Sequence, residues 1–307
     1  MVLLLLVEPD AELAALRPLG GFFALRTGEP PRGSLPTLAQ VYADPSCGHA
    51  ADPLTVRVRR VAEGIRAPEA RVAASVAHQG LAARLWSVAL GCTVRYGQLP
   101  DLAPDLLRWD PTAGAPDDLW LTEVRPTGNA PAPDTVSASD TDAESDTDAE
   151  SDTDAESDTD AESGTNADSG AAADAAAVAA LARVVLLAHL EPLAAALRAR
   201  YRLAPGLLRG NAASALAGAA RQLGGWARAD GRPEAAQQAH DLAVRLLAHP
   251  ALAGAGTLDT WGARGARGTT GFRRRSCCLY YRVPGGGVCG DCCFTRVPRS
   301  SPRAASG

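Results

Sequence analysis

Five of the seven cysteines of this 307-residue chain lie between positions 277 and 293, in the string RRRSCCLYYRVPGGGVCGDCC. Their spacing is Cys277-Cys278, ten residues, Cys289, two residues, Cys292, with Cys293 directly after. Thiolates in such numbers are the ligands of zinc and of iron–sulfur clusters. The chain opens without the pattern of a secretory signal, since its apolar run at 2–7 is short and no basic segment precedes it. The expected compartment is therefore the reducing cytoplasm, where clustered cysteines serve metals rather than disulfides. Zinc sites usually pair two Cys-x-x-Cys knuckles. Here one half is Cys-x-x-Cys and the other an adjacent Cys-Cys. Successive side chains on an extended backbone point apart, so seating both on one ion needs an unusual turn. Two metal centres relax that demand and favour a cluster, although the spacing departs from the common ferredoxin patterns. On chemistry alone an iron–sulfur cluster, a zinc ion and uncommitted thiols all stay open.

The elements that must position this segment are mostly helical. Residues 12–19 read as a short helix, followed by a Gly/Pro-rich loop at 20–36. Leu54, Val58, Val61 and Ile65 recur at helical spacing. Pro68 stands where the next helix begins, its apolar face runs through His78, and Gly91 is expected to end it. The apolar runs 106–109 and 119–124 flank a turn at 110–114 and read as a β-hairpin. Four further helices are expected: 171–190, one opening at Pro192, an Ala-rich stripe from Leu208 to Trp226, and 233–248. A Gly-rich connection at 254–271 leads to the cysteines. His78 and His189 fall on apolar helical faces and read as core histidines; Cys47 and Cys92 read as structural.

Between the two helical halves, residues 134–168 carry fourteen acids and no arginine, and Ser-Asp-Thr-Asp-Ala-Glu recurs four times from Ser139. Such a segment has too little apolar surface to offset the entropy of ordering it, so disorder is expected. The chain has 30 basic and 35 acidic residues, a net charge of −5. Without those fourteen acids, 30 arginines face 21 acids, and the remainder carries +9. Every basic residue is Arg. With the abundance of Ala, this reads as the coding bias of a GC-rich genome rather than a binding signal, and no nucleic-acid partner is expected. No apolar stretch reaches the roughly 18 residues that cross a bilayer; the best candidate, 178–190, contains Arg183. No membrane span is expected.

The string CCLYYRVPGGGVCGDC resembles the C-terminal signature of the siderophore-iron reductase family, the FhuF-like proteins. The segments HQGLAARLWSVALG (78–91) and GNAASALAGAARQL (210–223), with the 106–109 and 119–121 pair, are similar to its helical body. The resemblance implies a [2Fe-2S] cluster held by Cys277, Cys278, Cys289 and Cys292. It also implies transfer of one electron to Fe(III) in a hydroxamate-type or similar siderophore, with an electron donor of ferredoxin or reductase type. Cys293 stands where the family more often has proline, so either Cys292 or Cys293 can be the fourth ligand. Beside such a cluster, Arg273, Arg274 and Arg275 would favour the reduced form and attract an anionic chelate or donor; alternatively they form a solvated basic turn. Tyr280 and Tyr281 would stack on a chelate or simply pack.

The sequence thus describes a mainly α protein with a small β-hairpin. Residues 1–130 and 171–260 form the helical body, 131–170 a disordered acidic insertion, and 261–307 the cysteine-rich iron–sulfur segment. The activity expected is ferric-siderophore reduction. A zinc-stabilised binding module and an iron–sulfur redox sensor are the alternatives.

Overall fold

A computed structural model describes residues 13–30, 34–43, 52–125, 162–259 and 271–298. The protein is mainly helical, with two small sheets. Most of the expected insertion, and Cys47, fall outside the described residues.

The helices are α1 (Leu38–Tyr42), α2 (Pro53–Ile65), α3 (Ala70–Tyr96), α4 (Glu162–Leu181), α5 (Glu191–Tyr201), α6 (Pro205–Ala229) and α7 (Pro233–Leu247). The strands are β1 (Arg26–Thr27), β2 (Leu107–Trp109), β3 (Leu119–Leu121), β4 (Gly256–Asp259) and β5 (Gly271–Arg274). The α2 helix starts where Asp52 accepts the Thr55 N–H ahead of Pro53, the favoured combination of cap and first-turn proline.

The axis of the molecule is α3. Its residues are buried on nearly every side, which is what an α-helix apolar all round requires. Its main neighbour is α6, whose Ala212, Ala213, Ala215, Ala217 and Ala219 leave room for close approach. Gly91 does not end α3, which runs five residues further to a left-handed Gly97. A Cβ at Gly91 would stand 3.1 Å from the Phe23 ring and 3.2 Å from Leu16. That glycine is therefore a packing contact rather than a cap.

The first sheet has the order β1-β3-β2. The expected hairpin is there, with Leu107 opposite Leu121 and Trp109 opposite Leu119, all four buried. Its second strand stops at Leu121, short of 124. The two-residue β1 pairs parallel with β3 inside what reads as a loop, because two residues show no period. Of the expected helix at 12–19, the described residues 13–19 form a helical turn and a 3-10 turn at Arg17–Leu19. Pro18 lacks the N–H an α-helix would use there.

A buried ion pair locks this sheet to α3. Arg84 Nε donates to Asp118 Oδ1 at 3.1 Å, and both side chains are nearly inaccessible to solvent. The same guanidinium donates to the carbonyls of Gly21 and Phe22.

From Glu162 the chain is helical through α4, wide π turns at Ala182–Leu190, and α5. The helix thus begins inside the expected insertion. The expected break before Pro192 is absent, and the π turns stand immediately before the proline, which has no N–H to donate to the Ala188 carbonyl in an α ladder. Residues 172–201 are long and apolar enough to cross a membrane by length and composition, contrary to the expectation from 178–190. Here Leu181, Val185, Leu186, Leu190 and Leu193 are instead part of the core.

The two ends of the Gly-rich connection before the cysteines belong to strands. β4 and β5 form an antiparallel ribbon, with Gly256 opposite Arg274 and Leu258 opposite Phe272.

Candidate metal centre

The cysteine segment is held against α3 and α6 by hydrogen bonds at both ends. From α3, the Ser75 hydroxyl donates to the Cys278 carbonyl at 2.8 Å. Ser276 donates to the Gly206 carbonyl at 2.8 Å, and Ser214 of α6 donates to Asp291 at 2.5 Å. The Arg274 N–H reaches the Asp291 carbonyl at 2.9 Å, joining the strand that leads into Cys277-Cys278 to the Cys289–Cys292 turn. Gly210 makes the approach possible. A Cβ there would lie 2.3 Å from the Ser276 hydroxyl and 3.1 Å from the Arg274 guanidinium.

Within this frame the thiols converge. Cys278 and Cys289 share a hydrogen bond at 3.6 Å between their sulfurs. Backbone N–H groups two residues on point at the sulfurs of Cys277 (Leu279, 3.2 Å) and Cys292 (Phe294, 3.4 Å). Cys278 and Cys292 are buried, Cys277 and Cys289 half-buried. Cys293 is also half-buried, and its carbonyl accepts from Arg273 at 3.2 Å.

The thiols feel one another strongly. Burial, and then the charges of the neighbouring sulfurs, push Cys277 up to about 11. The bond to Cys289 brings Cys278 down to about 6, with Arg274 assisting, while Cys289 itself is driven far up. The two thiols thus oppose each other's ionisation, and a cationic metal centre relieves that repulsion.

The three arginines before the cysteines do not form one basic turn. On β5, where side chains alternate between faces, Phe272 and Arg274 point in and Arg273 points out, and Arg275, just past the strand, is exposed. Arg274 is 2 % exposed. It donates to the Asn211 side chain, the Leu207 carbonyl at 3.4 Å and Gln79 at 3.5 Å, while its Nε has no partner. Among the described residues no carboxylate lies within ion-pair distance of it. Its burial takes Arg274 off any docking face, correcting the grouping of all three arginines there. Asn211 in turn donates to the Ser75 carbonyl and hydroxyl, so a buried chain runs from Arg274 through Asn211 and Ser75 to the Cys278 backbone.

Tyr280 is exposed. Tyr281 packs edge-on against Phe294 and accepts from Arg282, which pairs with Glu69 at the start of α3. Of the histidines, His189 is satisfied by the Tyr42 hydroxyl at 3.0 Å and the Leu102 carbonyl at 2.6 Å. His78 is buried too, but its Nδ1 lacks a partner. Neither stands among the thiols. Sequence reasoning missed Ser75, Asn211 and Ser214, whose only signal is small polar residues on otherwise apolar helical faces.

The arrangement defines a sulfur-ligated metal centre on a helical support. The sequence profile of the FhuF 2Fe-2S C-terminal domain matches residues 274–294, a stretch that begins at Arg274 and ends just after Cys293. No curated protein matches the chain. The cofactor of the segment is accordingly a [2Fe-2S] cluster. The residues present fit it. The side chains brought together are thiols, the donors that such a cluster takes. A buried, carboxylate-free guanidinium beside the thiols is balanced by a cluster that carries net negative charge.

Proposed function

We propose that the protein is a ferric-siderophore reductase, passing one electron to chelated Fe(III) so that iron leaves as Fe(II). The observation that carries this reading is the match of residues 274–294 to the FhuF 2Fe-2S C-terminal domain over all five clustered cysteines. Cys277, Cys278, Cys289 and Cys292 are the ligands. Cys292 is preferred over Cys293 because it is buried and receives the same i+2 backbone N–H bond as Cys277. When bound, the cluster supplies a one-electron couple.

The remaining work of the chain is positioning. Hard oxygen ligands of a hydroxamate-type or similar siderophore hold Fe(II) far more weakly than Fe(III), so a single electron suffices and no general acid, base or nucleophile is required. An electron donor of ferredoxin or reductase type restores the reduced protein, in a cytoplasmic setting. A face for that donor lies in the same segment. Among the described residues, Tyr280, Val288, Phe294 and Val297 are four of the seven exposed large apolar side chains, and Arg273, Arg275 and Arg296 of the same segment are exposed too. A small apolar patch with basic neighbours suits transient docking of an acidic redox protein.

The test starts from anaerobically purified protein, with absorption and EPR spectra and iron and sulfide analysis. The chemically reduced protein is then mixed with a ferric hydroxamate in the presence of a coloured Fe(II) trap. Two irons and two sulfides per chain, with cluster oxidation matching Fe(II) capture mole for mole, are expected. A stable cluster that reduces no ferric chelate would overturn the reading in favour of a redox sensor, and stoichiometric zinc would overturn both.

A further inference from the structure

A cavity of about 410 Å³ lies between α3 and α6 and ends on the cysteine segment. Gln79, Ala83 and Ser87 line it from α3, four residues apart and so on one helical face. Ala215, Gly218 and Gln222 line it from α6 at three- and four-residue spacing. Asp291, one residue before Cys292 and two after Cys289, lines it as well. The floor is made of very small side chains and the polar lining of amides and hydroxyls, as in sites that receive a compact ligand and orient it by a few hydrogen bonds.

The charge of this groove differs from that of the face around Arg273 and Arg275. Among the described residues that line it, the charged ones are Arg221 and Asp291, which pair with each other at 3.5 Å. Ser214 also donates to Asp291. The groove is therefore electrically neutral while ending within one residue of a cluster ligand. Three singly charged hydroxamates neutralise Fe(III), whereas three doubly charged catecholates leave a large negative charge that no unpaired cation of the described lining balances, Arg274 behind Gln79 being buried beside the thiols.

We infer that the α3–α6 groove is the docking site of the electron acceptor, and that the acceptor enters it as an uncharged ferric chelate. This rests on the reductase reading given above. The donor and the acceptor then use different surfaces of one centre, the basic apolar face and the neutral groove, so one does not have to leave before the other arrives.

Gly218 allows a direct test. A side chain built there meets only the tip of Arg221, at 3.9 Å, so Gly218→Phe fills the groove without entering the core. Ala83→Leu fills it from the opposite wall. The probe is the gallium(III) complex of a trihydroxamate, which has the size and charge of the iron complex but is not reduced under these conditions. Calorimetry should show binding to the wild-type holoprotein, nearly independent of salt. Both variants should weaken it at least about tenfold, the low end of what one misplaced hydrocarbon group does in a shaped pocket. Their cluster spectra, potentials and oxidation rates with hexaammineruthenium(III) should match wild type. Reduction of the ferric trihydroxamate should fall in parallel with binding. Gallium-chelate binding that neither variant disturbs, or no binding at all, overturns the groove. Wild-type binding that both variants abolish, with no electron reaching the ferric complex, keeps the groove and overturns the reductase reading.

Discussion

Arg274 shows how far a single side chain's role depends on the backbone that carries it. In the sequence it is the middle of three equal arginines; on β5 the alternation of faces sends it inward while its neighbours stay in solvent. A buried cation stabilises the more negative, reduced state of an adjacent cluster, and little water is present to screen it. Arg274→Gln should therefore lower the cluster potential more than Arg273→Gln or Arg275→Gln, as read by a redox titration of the visible spectrum. Equal small shifts for all three would mean that Arg274 acts only as a structural strut. The outer two belong to encounter. Replacing both with Gln should slow electron delivery from an acidic donor and flatten its salt dependence, since exposed charges are screened over about 8 Å at physiological ionic strength. The thiols divide similarly. Cys277→Ser, Cys278→Ser or Cys289→Ser should abolish or distort the cluster spectrum, and Cys293→Ser should leave it nearly unchanged. A lost cluster in Cys293→Ser with a normal one in Cys292→Ser would reverse the assignment of the fourth ligand.

At the level of elements, the support of the site is a set of close approaches and one buried ion pair. Removing one partner of a buried pair leaves an uncompensated charge and typically costs about 3–5 kcal/mol. Asp118→Ala strands both Arg84 and Arg57 in this way and should lower the denaturation midpoint accordingly; a near-neutral result would mean that water reaches Arg84. Gly91→Val, which drives a branched side chain into Phe23 and Leu16, should destabilise by about 1–3 kcal/mol. These two sites also mark where sequence reading succeeds and fails. The helices were legible because Leu54, Val58 and similar residues repeat at a helical period, and the β2–β3 hairpin because its apolar runs flank a Pro/Gly turn. The clustering of five cysteines marks a metal-binding segment in the sequence, whereas spacing alone leaves zinc and cluster open and the [2Fe-2S] reading comes from the family resemblance. Gly91 was misread because glycine serves both as a helix terminator and as a space-maker, and only a neighbour such as Phe23 decides between them. β4 was missed because its glycine resembles a linker, and Asn211 because its partners Ser75 and Arg274 lie 136 and 63 residues away in the chain.

At the scale of the whole molecule, two buried histidines make stability depend on pH. Burial, with the charge of Arg274 adding to it, brings His78 down to about 3. Burial brings His189 to about 4, with its bond to the Leu102 carbonyl opposing the shift. Both folded values lie below the ordinary value of about 6.5. Between those limits the unfolded chain binds more protons than the folded one, so stability is fully present above about pH 6.5 and is lost as pH falls toward 4 and 3. The slope should be visible in denaturation midpoints measured between pH 7 and pH 4.5. Carboxylates held by ion pairs, such as Glu69, contribute a loss of the same sign only at lower pH, since their ordinary values already lie near 4. The histidine part is isolated by His78→Leu, which removes a base that must stay neutral and whose Nδ1 is unpartnered in the folded state. That variant should be about as stable as wild type at neutral pH, because it gives up no observed Nδ1 hydrogen bond. It should become the more stable of the two below about pH 5.5, as the wild-type histidine pays an increasing cost for staying unprotonated. Parallel pH profiles for the two proteins would show that His78 meets protons or water in the folded state, and that its burial does not govern the acid limit of this fold.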